Sequence, residues 1–205
     1  GRILNAGQSC IAAKRLIVTK KNVVEFTDKL KNRLALKIMG DPLDSVDIGP
    51  MVSLSAREEV NDLVQRSIKE GAKLILGGEV PDNEGSYYPI TILAEVKPGM
   101  PAFDEEIFGP VFSIITAENE DDAVILANKS EFGLGSAIFT SNIKKGEKIA
   151  KEKMQSGACF VNDFVKSDPR LPFGGIKMSG YGRELSNYGM MEFVNIKTVV
   201  IKSNN

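Results

Sequence analysis

The sequence predicts an α/β fold, a largely parallel sheet covered on both faces by helices, and three observations predict it. Short runs rich in β-branched and leucine residues alternate along the chain with segments whose apolar residues recur at helical spacing. Gly, Pro, Asn and Asp clusters separate most of these segments, which is how turns punctuate such an alternation. With 205 residues, 42% of them hydrophobic, the chain can bury a full core.

The elements follow in order. Asn5-Ala6-Gly7-Gln8-Ser9-Cys10 puts a cysteine after a Gly-Gln turn, at what reads as the start of a helix through Ala12 and Ala13. Arg15 to Thr19 is a buried-strand run. Asn22 is placed to cap a helix carrying Val23, Phe26, Leu30 and Leu34, and Gly40-Asp41-Pro42 stops that pattern. A second helix is expected from about Ser55 to Glu70, with Val60, Leu63, Val64 and Ile68 on one face and Gly71 at its end. Lys73 to Leu76 reads as a strand, and Tyr88 to Val96 as another, disturbed at its start by Pro89.

Val111 to Thr116 continues the strand series. Glu118, Glu120, Asp121 and Asp122 crowd the start of a helix over Ala123 to Asn128, where carboxylates favour the positive end of the helix dipole, so they are read as a helix start and not as a metal site. Ser136 to Thr140 is a strand, Lys145 to Met154 a helix, Ala158 to Val161 a buried strand, and Ser186 to Phe193 the last helical turn. Lys197-Thr198-Val199-Val200-Ile201-Lys202 is β-rich, and is expected as a sheet edge or as an arm reaching another chain.

Composition excludes several functions. Lys+Arg 26 against Asp+Glu 27 leaves no basic excess, so nucleic acid is not an expected partner. No apolar run has membrane-spanning length and no signal-peptide pattern opens the chain, so no membrane association and a cytoplasmic location are expected. Two distant cysteines make no disulfide framework. With no histidine, a Ser-His or Cys-His pair is unavailable within the chain, as is an ordinary zinc site. Gly1-Arg2 opens almost directly on the Cys10 segment, and the chain is expected to be part of a longer protein.

Three segments carry candidate chemistry. A thiol at a helix N-terminus gains thiolate character and has free backbone N–H groups beside it for an oxyanion, which makes Cys10 the candidate nucleophile; the alternative is a small buried core filler. Glu105-Glu106-Ile107-Phe108-Gly109-Pro110 pairs a carboxylate able to accept two sugar hydroxyls with an aromatic able to pack on a flat ring; the alternative is a strand entrance with solvated acids. The glycine-rich stretch from Leu171 to Glu184 has neither Walker-loop nor dinucleotide-fingerprint spacing and suits a rigid loop lining a cleft.

In order and spacing, Asn5 to Cys10, Glu105 to Pro110 and Pro172 to Glu184 together resemble the aldehyde dehydrogenase superfamily. The resemblance covers essentially the whole chain. It implies a three-layer α/β/α catalytic domain with a mostly parallel sheet over 1–193, a C-terminal oligomerisation strand and tail over 194–205, and an N-terminal NAD-binding domain that this chain lacks. It further implies oxidation of a small-molecule aldehyde to its acid, with NAD or NADP held mainly by that other domain. Cys10 would attack the aldehyde carbon and its N–H would donate to the oxyanion. Glu106 would hold the nicotinamide ribose, Phe108 would lie by the cofactor, and Phe173 by the substrate tunnel. Asn162 would be structural and Cys159 inert packing.

The stretch from Gln8 to Arg15, with Asp168 to Phe173 and Phe193 to Thr198, is similar to bacterial succinate-semialdehyde dehydrogenases, although Leu4 stands where some of those enzymes place a substrate-binding arginine. Arg170 and Ser167 are the available contacts for a semialdehyde carboxylate. The resemblance also implies a homodimer or homotetramer, with Thr198 to Ile201 extending a neighbour's sheet, and an isolated chain without activity. Two other functions fit the residues: a cofactor-free thiol esterase, and a truncated homologue serving as an oligomerisation or binding module.

Overall fold

The computed structural model describes residues 1–203. A 3-10 turn over Leu4–Gly7 precedes β1 (Arg15–Thr19) and α1 (Val23–Leu34), then α2 (Leu54–Lys69), β2 (Lys73–Leu76) and β3 (Thr91–Ala94). The short α3 (Pro101–Asp104), β4 (Val111–Ala117), α4 (Glu120–Asn128), β5 (Phe132–Gly133) and β6 (Gly135–Ile138) follow. The chain continues with α5 (Ile143–Glu152), β7 (Ala158–Val161), β8 (Ile176–Lys177) and α6 (Ser186–Met191).

The main sheet runs β1-β4-β3-β2, with β1 and β3 both parallel to β4, and β2 added antiparallel at the edge. Its pleat sends alternate side chains to two separate cores. From β4, Phe112 and Ile114 join Ile92 and the α1 residues Phe26, Leu30 and Leu34 on one face. Val111 and Ile115 join Leu93, Phe103 and the α2 residues Val60, Leu63 and Val64 on the other. Helices therefore cover both faces, as the alternating pattern predicts. Two small sheets complete the fold, β5 with β8 antiparallel and β6 with β7 parallel.

Local chemistry explains most boundaries. Ser53 caps α2 by accepting from Ala56 N, and Asn119 caps α4 by accepting from Asp122 N. The acids after Asn119 occupy the first turn of α4, and Glu118 and Asp121 pair with Lys20 and Lys153, each at 3.0 Å. Asn22 stands before α1 without a side-chain cap. Ser67, fully buried in α2, donates to Leu63 O at 2.7 Å and accepts from Ala102 N at 2.8 Å, fixing α3 to the helix. No helix among the described residues is long and apolar enough to cross a membrane.

Two expectations are corrected, and one stays open. No helix begins at Cys10: Ile11 to Lys14 form turns and an extended approach to β1. The strand expected over Tyr88 to Val96 shortens to Thr91–Ala94, because Pro89 has no N–H to give the ladder and Glu95, at φ 56°, leaves the extended region. The β-rich tail adds no edge strand to the sheets among the described residues, where Ile196, Val199, Val200 and Ile201 are 68–89% exposed, which leaves the arm towards another chain as the open alternative.

Candidate active site

Cys10 stands exposed on a turn whose shape is set before it. Asn5, Ala6 and Gly7 all take positive φ, so the chain reverses tightly, and the Asn5 and Gln8 side-chain amides donate to each other's backbone carbonyls at 3.0 and 3.1 Å. Gly7 is required here, because a Cβ on it would meet Gly109 O at 2.2 Å. The cysteine turn thus lies directly against the Glu105–Pro110 loop.

Arg2 seals that contact from below. It is 3% exposed, and its guanidinium donates to Val111 O at 2.6 Å, to Ile107 O at 2.7 Å and to Gly109 O. One nitrogen, Nη1, has no partner. Burial pulls this guanidinium down to about 10, with the nearby Glu106 carboxylate opposing the shift, so it is still cationic at neutral pH.

Lys14 joins the two loops from the other side. Its Nζ pairs with Glu106 Oε1 at 2.9 Å and donates to the carbonyls of Ser9 at 3.0 Å, Cys10 at 3.2 Å and Ala12 at 3.4 Å. It also lies 5.2 Å from the centre of the Phe108 ring. Burial lowers the Lys14 pKa, and the Glu106 carboxylate opposes that shift. Sequence reasoning missed both cations, since neither follows from a motif or a local period.

Glu106 and Phe108 open onto a cleft of about 470 Å³, shared with Asn5, Gln8, Val52, Glu59 and Leu63. Lys14 pairs with Oε1 of Glu106, and no hydrogen bond to Oε2 occurs among the described residues, so that oxygen can accept from a ligand. Phe108 keeps 42% of its surface exposed. A carboxylate oxygen next to an accessible ring face fits a sugar hydroxyl pair carrying a flat base. No group of three or more His, Cys, Asp or Glu suited to a metal occurs among the described residues.

The other expected residues lie apart from this cleft. Phe173 is 9% exposed and exchanges backbone hydrogen bonds with Glu184, at 2.8 and 2.7 Å. Arg170 is held by Asp168 through contacts of 2.9 and 2.6 Å and lines a separate groove of about 750 Å³ with Pro172, Glu184, Tyr188 and Phe193. Ser167 is exposed on the same loop. Asn162 closes the β6–β7 ladder, accepting from Thr140 N and donating to Thr140 O, both at 2.8 Å. Cys159 on β7 faces Ser136 on β6, and burial pushes its thiol up, which keeps it protonated. Gly157 packs against the glycine-rich loop so closely that a Cβ would overlap Gly174 O.

Comparison with known proteins gives this geometry its relatives. The chain is 44% identical over 200 residues to the NAD(P)+ succinate semialdehyde dehydrogenase of Escherichia coli K12, covering 97% of this chain and 43% of that protein. It superimposes with a TM-score of 0.95, at 39% identity, on the succinic semialdehyde dehydrogenase of Streptococcus pyogenes solved with NADP+, covering 98% of this chain and 44% of that one. The lactaldehyde dehydrogenase of Escherichia coli superimposes with a TM-score of 0.94 at 30% identity, covering 98% of this chain and 43% of that one. The chain therefore spans less than half the length of the relatives it matches. The aldehyde dehydrogenase family profile matches residues 1–199, and with identities of this size along nearly the whole chain, it belongs to the aldehyde dehydrogenase family.

Proposed function

We propose that this chain is the catalytic part of an NAD(P)-dependent aldehyde dehydrogenase that oxidises succinate semialdehyde to succinate. The observation that carries the reading is the meeting of the Cys10 turn with the Glu106 loop, clamped by Lys14 and Arg2. It brings a nucleophile and a sugar-binding acid into one rigid assembly, as covalent catalysis next to a bound dinucleotide requires.

In this reading the Cys10 thiolate attacks the aldehyde carbon, a C–S bond forms, and the carbonyl electrons move onto oxygen. The Cys10 N–H donates to that oxyanion. Bound NAD(P)+ would accept the hydrogen of the aldehyde carbon as hydride; Cys10 would then carry the acyl group as a thioester, from which water would release the acid and restore the thiol. Glu106 accepts the ribose hydroxyls through its free oxygen, and Phe108 packs against the cofactor. Phe173 lines the substrate passage, while Arg170 and Ser167 receive the semialdehyde carboxylate. The likeness to two succinate semialdehyde dehydrogenases supports the substrate.

The 205 residues alone are inactive in this proposal, since the relatives are more than twice as long. The intact protein assembles as a homodimer or homotetramer, with Thr198 to Ile201 extending a neighbour's sheet. The exposed apolar run Val199-Val200-Ile201 supports that arm.

The test is NAD(P)H formation by the protein expressed from its intact reading frame, with succinate semialdehyde and a panel of uncharged aldehydes, and Cys10→Ala in parallel. Turnover strongest with the semialdehyde and absent in Cys10→Ala is expected. Equal turnover across the panel removes the substrate, survival without Cys10 removes the mechanism, and ester hydrolysis indifferent to NAD(P) without NAD(P)H formation makes the protein a thiol esterase.

A further inference from the structure

Resting on that reading, a role emerges for a residue that no motif points to. The Lys14 ammonium has three hydrogens and four oxygens around it, within 2.9–3.4 Å. Three of those oxygens are carbonyls of the nucleophile's own turn. All peptide bonds among the described residues are trans, and in a trans peptide the C=O and the following N–H point in opposite directions. With Ser9 O drawn onto Lys14, the Cys10 N–H is turned away from the ammonium. It donates to no group among the described residues. With Cys10 O drawn the same way, the next peptide is held too.

We propose that Lys14 is a positioning residue: it fixes the Ser9–Cys10 peptide with its N–H free for the oxyanion, and locks that peptide to the Glu106 carboxylate that binds cofactor. One ammonium thereby sets both the oxyanion donor and the cofactor-binding acid. Without it, the Ser9–Cys10 peptide is free to rotate, because the remaining anchor on Ser9 O is the Ala12 N–H at 3.1 Å, and Glu106 loses its fixed rotamer.

The experiment compares Lys14→Met and Lys14→Arg with the unsubstituted protein, all from the intact reading frame. Three readouts are taken: cofactor-free acylation by p-nitrophenyl acetate, followed as nitrophenolate release; alkylation by iodoacetamide on its alkaline plateau; and NADP+ affinity by calorimetry. Acylation passes through an oxyanion and alkylation does not. In Lys14→Met, acylation is expected to fall roughly ten- to a hundredfold, below the full loss of an oxyanion donor. Alkylation is expected to stay within about threefold, and the NADP+ Kd to rise at least about fivefold, a loss of roughly 1 kcal/mol. Lys14→Arg, which keeps the charge, is expected to recover much of both losses.

Equal falls in acylation and alkylation mean only a displaced thiol and overturn the proposal, as does an unchanged Kd. Should Lys14→Met lose its cooperative thermal transition, Lys14→Gln takes its place, with the same split between acylation and alkylation expected and its absence decisive. An unsubstituted protein without NAD(P)H turnover overturns the functional reading and this inference together. Normal turnover there with unaltered parameters in Lys14→Met overturns this inference alone.

Discussion

Gly7 and Gly109 touch backbone to backbone: a methyl group on Gly7 would stand 2.2 Å from the Gly109 carbonyl oxygen. This contact sets the Cys10 turn against the loop that carries Glu106 and Phe108, and four predictions extend from the neighbourhood it creates and from the fold that supports it.

Gly7→Ala combines a backbone overlap with a side chain at φ 75°. The two loops must separate. A loss of about 3 kcal/mol or more is expected in urea unfolding of the intact protein, together with loss of Cys10-dependent turnover. Wild-type stability and activity in this variant would mean that the loops do not meet as described.

Arg2→Met removes a cation that serves three backbone carbonyls, two of them at 2.6 and 2.7 Å. Buried carbonyls left without donors cost roughly 1–3 kcal/mol each where water cannot reach them, and some of that loss will be relieved by relaxation. The expected destabilisation is about 3 kcal/mol, with only partial recovery in Arg2→Lys, because an ammonium lacks the planar fork. A change of under about 0.5 kcal/mol would show that the clasp contributes nothing.

Tyr88 is 1% exposed, and burial pushes its phenol up from 10.0 to about 12. Between those values the unfolded chain releases the phenolic proton while the folded protein keeps it. The unfolded state then binds fewer protons, so stability falls as pH rises through that window and is fully present below pH 10. A loss of about 2 kcal/mol by pH 12 follows from a two-unit difference, because at that pH the folded phenol is itself half titrated. Tyr88→Phe is expected to remove this part of the alkaline loss, so identical slopes for both proteins between pH 10 and 12 would refute the assignment.

Arg170→Gln tests the carboxylate clamp. The semialdehyde KM is expected to rise about tenfold, the size of one charge-assisted contact, while the KM for an uncharged aldehyde of similar length holds within twofold. Because Asp168 already takes the Nε–Nη2 edge of this guanidinium, the substrate must share it. Equal effects on both aldehydes would assign Arg170 to the loop and not to the substrate.

What could be read directly from the residues was whatever a local pattern encodes. Arg15 to Thr19 and Ala158 to Val161 match their strands residue for residue, because short apolar runs between turns favour extended backbone, although both strands are half-buried and not buried as expected. The faces of α1 and α2 follow the 3.6-residue period, and the acids at 120–122 lie at the start of α4. Cys10, Glu106 and Phe108 stand out because their segments combine reactive or ring-binding groups with tight turns.

The rest depended on contacts between residues far apart in the chain. Ile11 to Lys14 have helical character locally, yet Lys14 is drawn to Glu106 and its turn is pressed onto Gly109, so the helix does not form. Arg2, beside the start of the chain, finds its acceptors 105 to 109 residues away, and nothing near it in sequence announces that it is buried. The apolar tail shows the same limit from the other side: Val199-Val200-Ile201 has strand propensity, but a strand also needs a neighbour to take its hydrogen bonds, and none stands beside it among the described residues. Local periodicity determined most of the strands and helices, and local residue patterns singled out Cys10, Glu106 and Phe108 as candidates. Tertiary contact alone decided how the Ser9–Cys10 peptide is turned and which cations hold it, because hydrogen-bond partners separated by most of the chain leave no mark on the period of either segment.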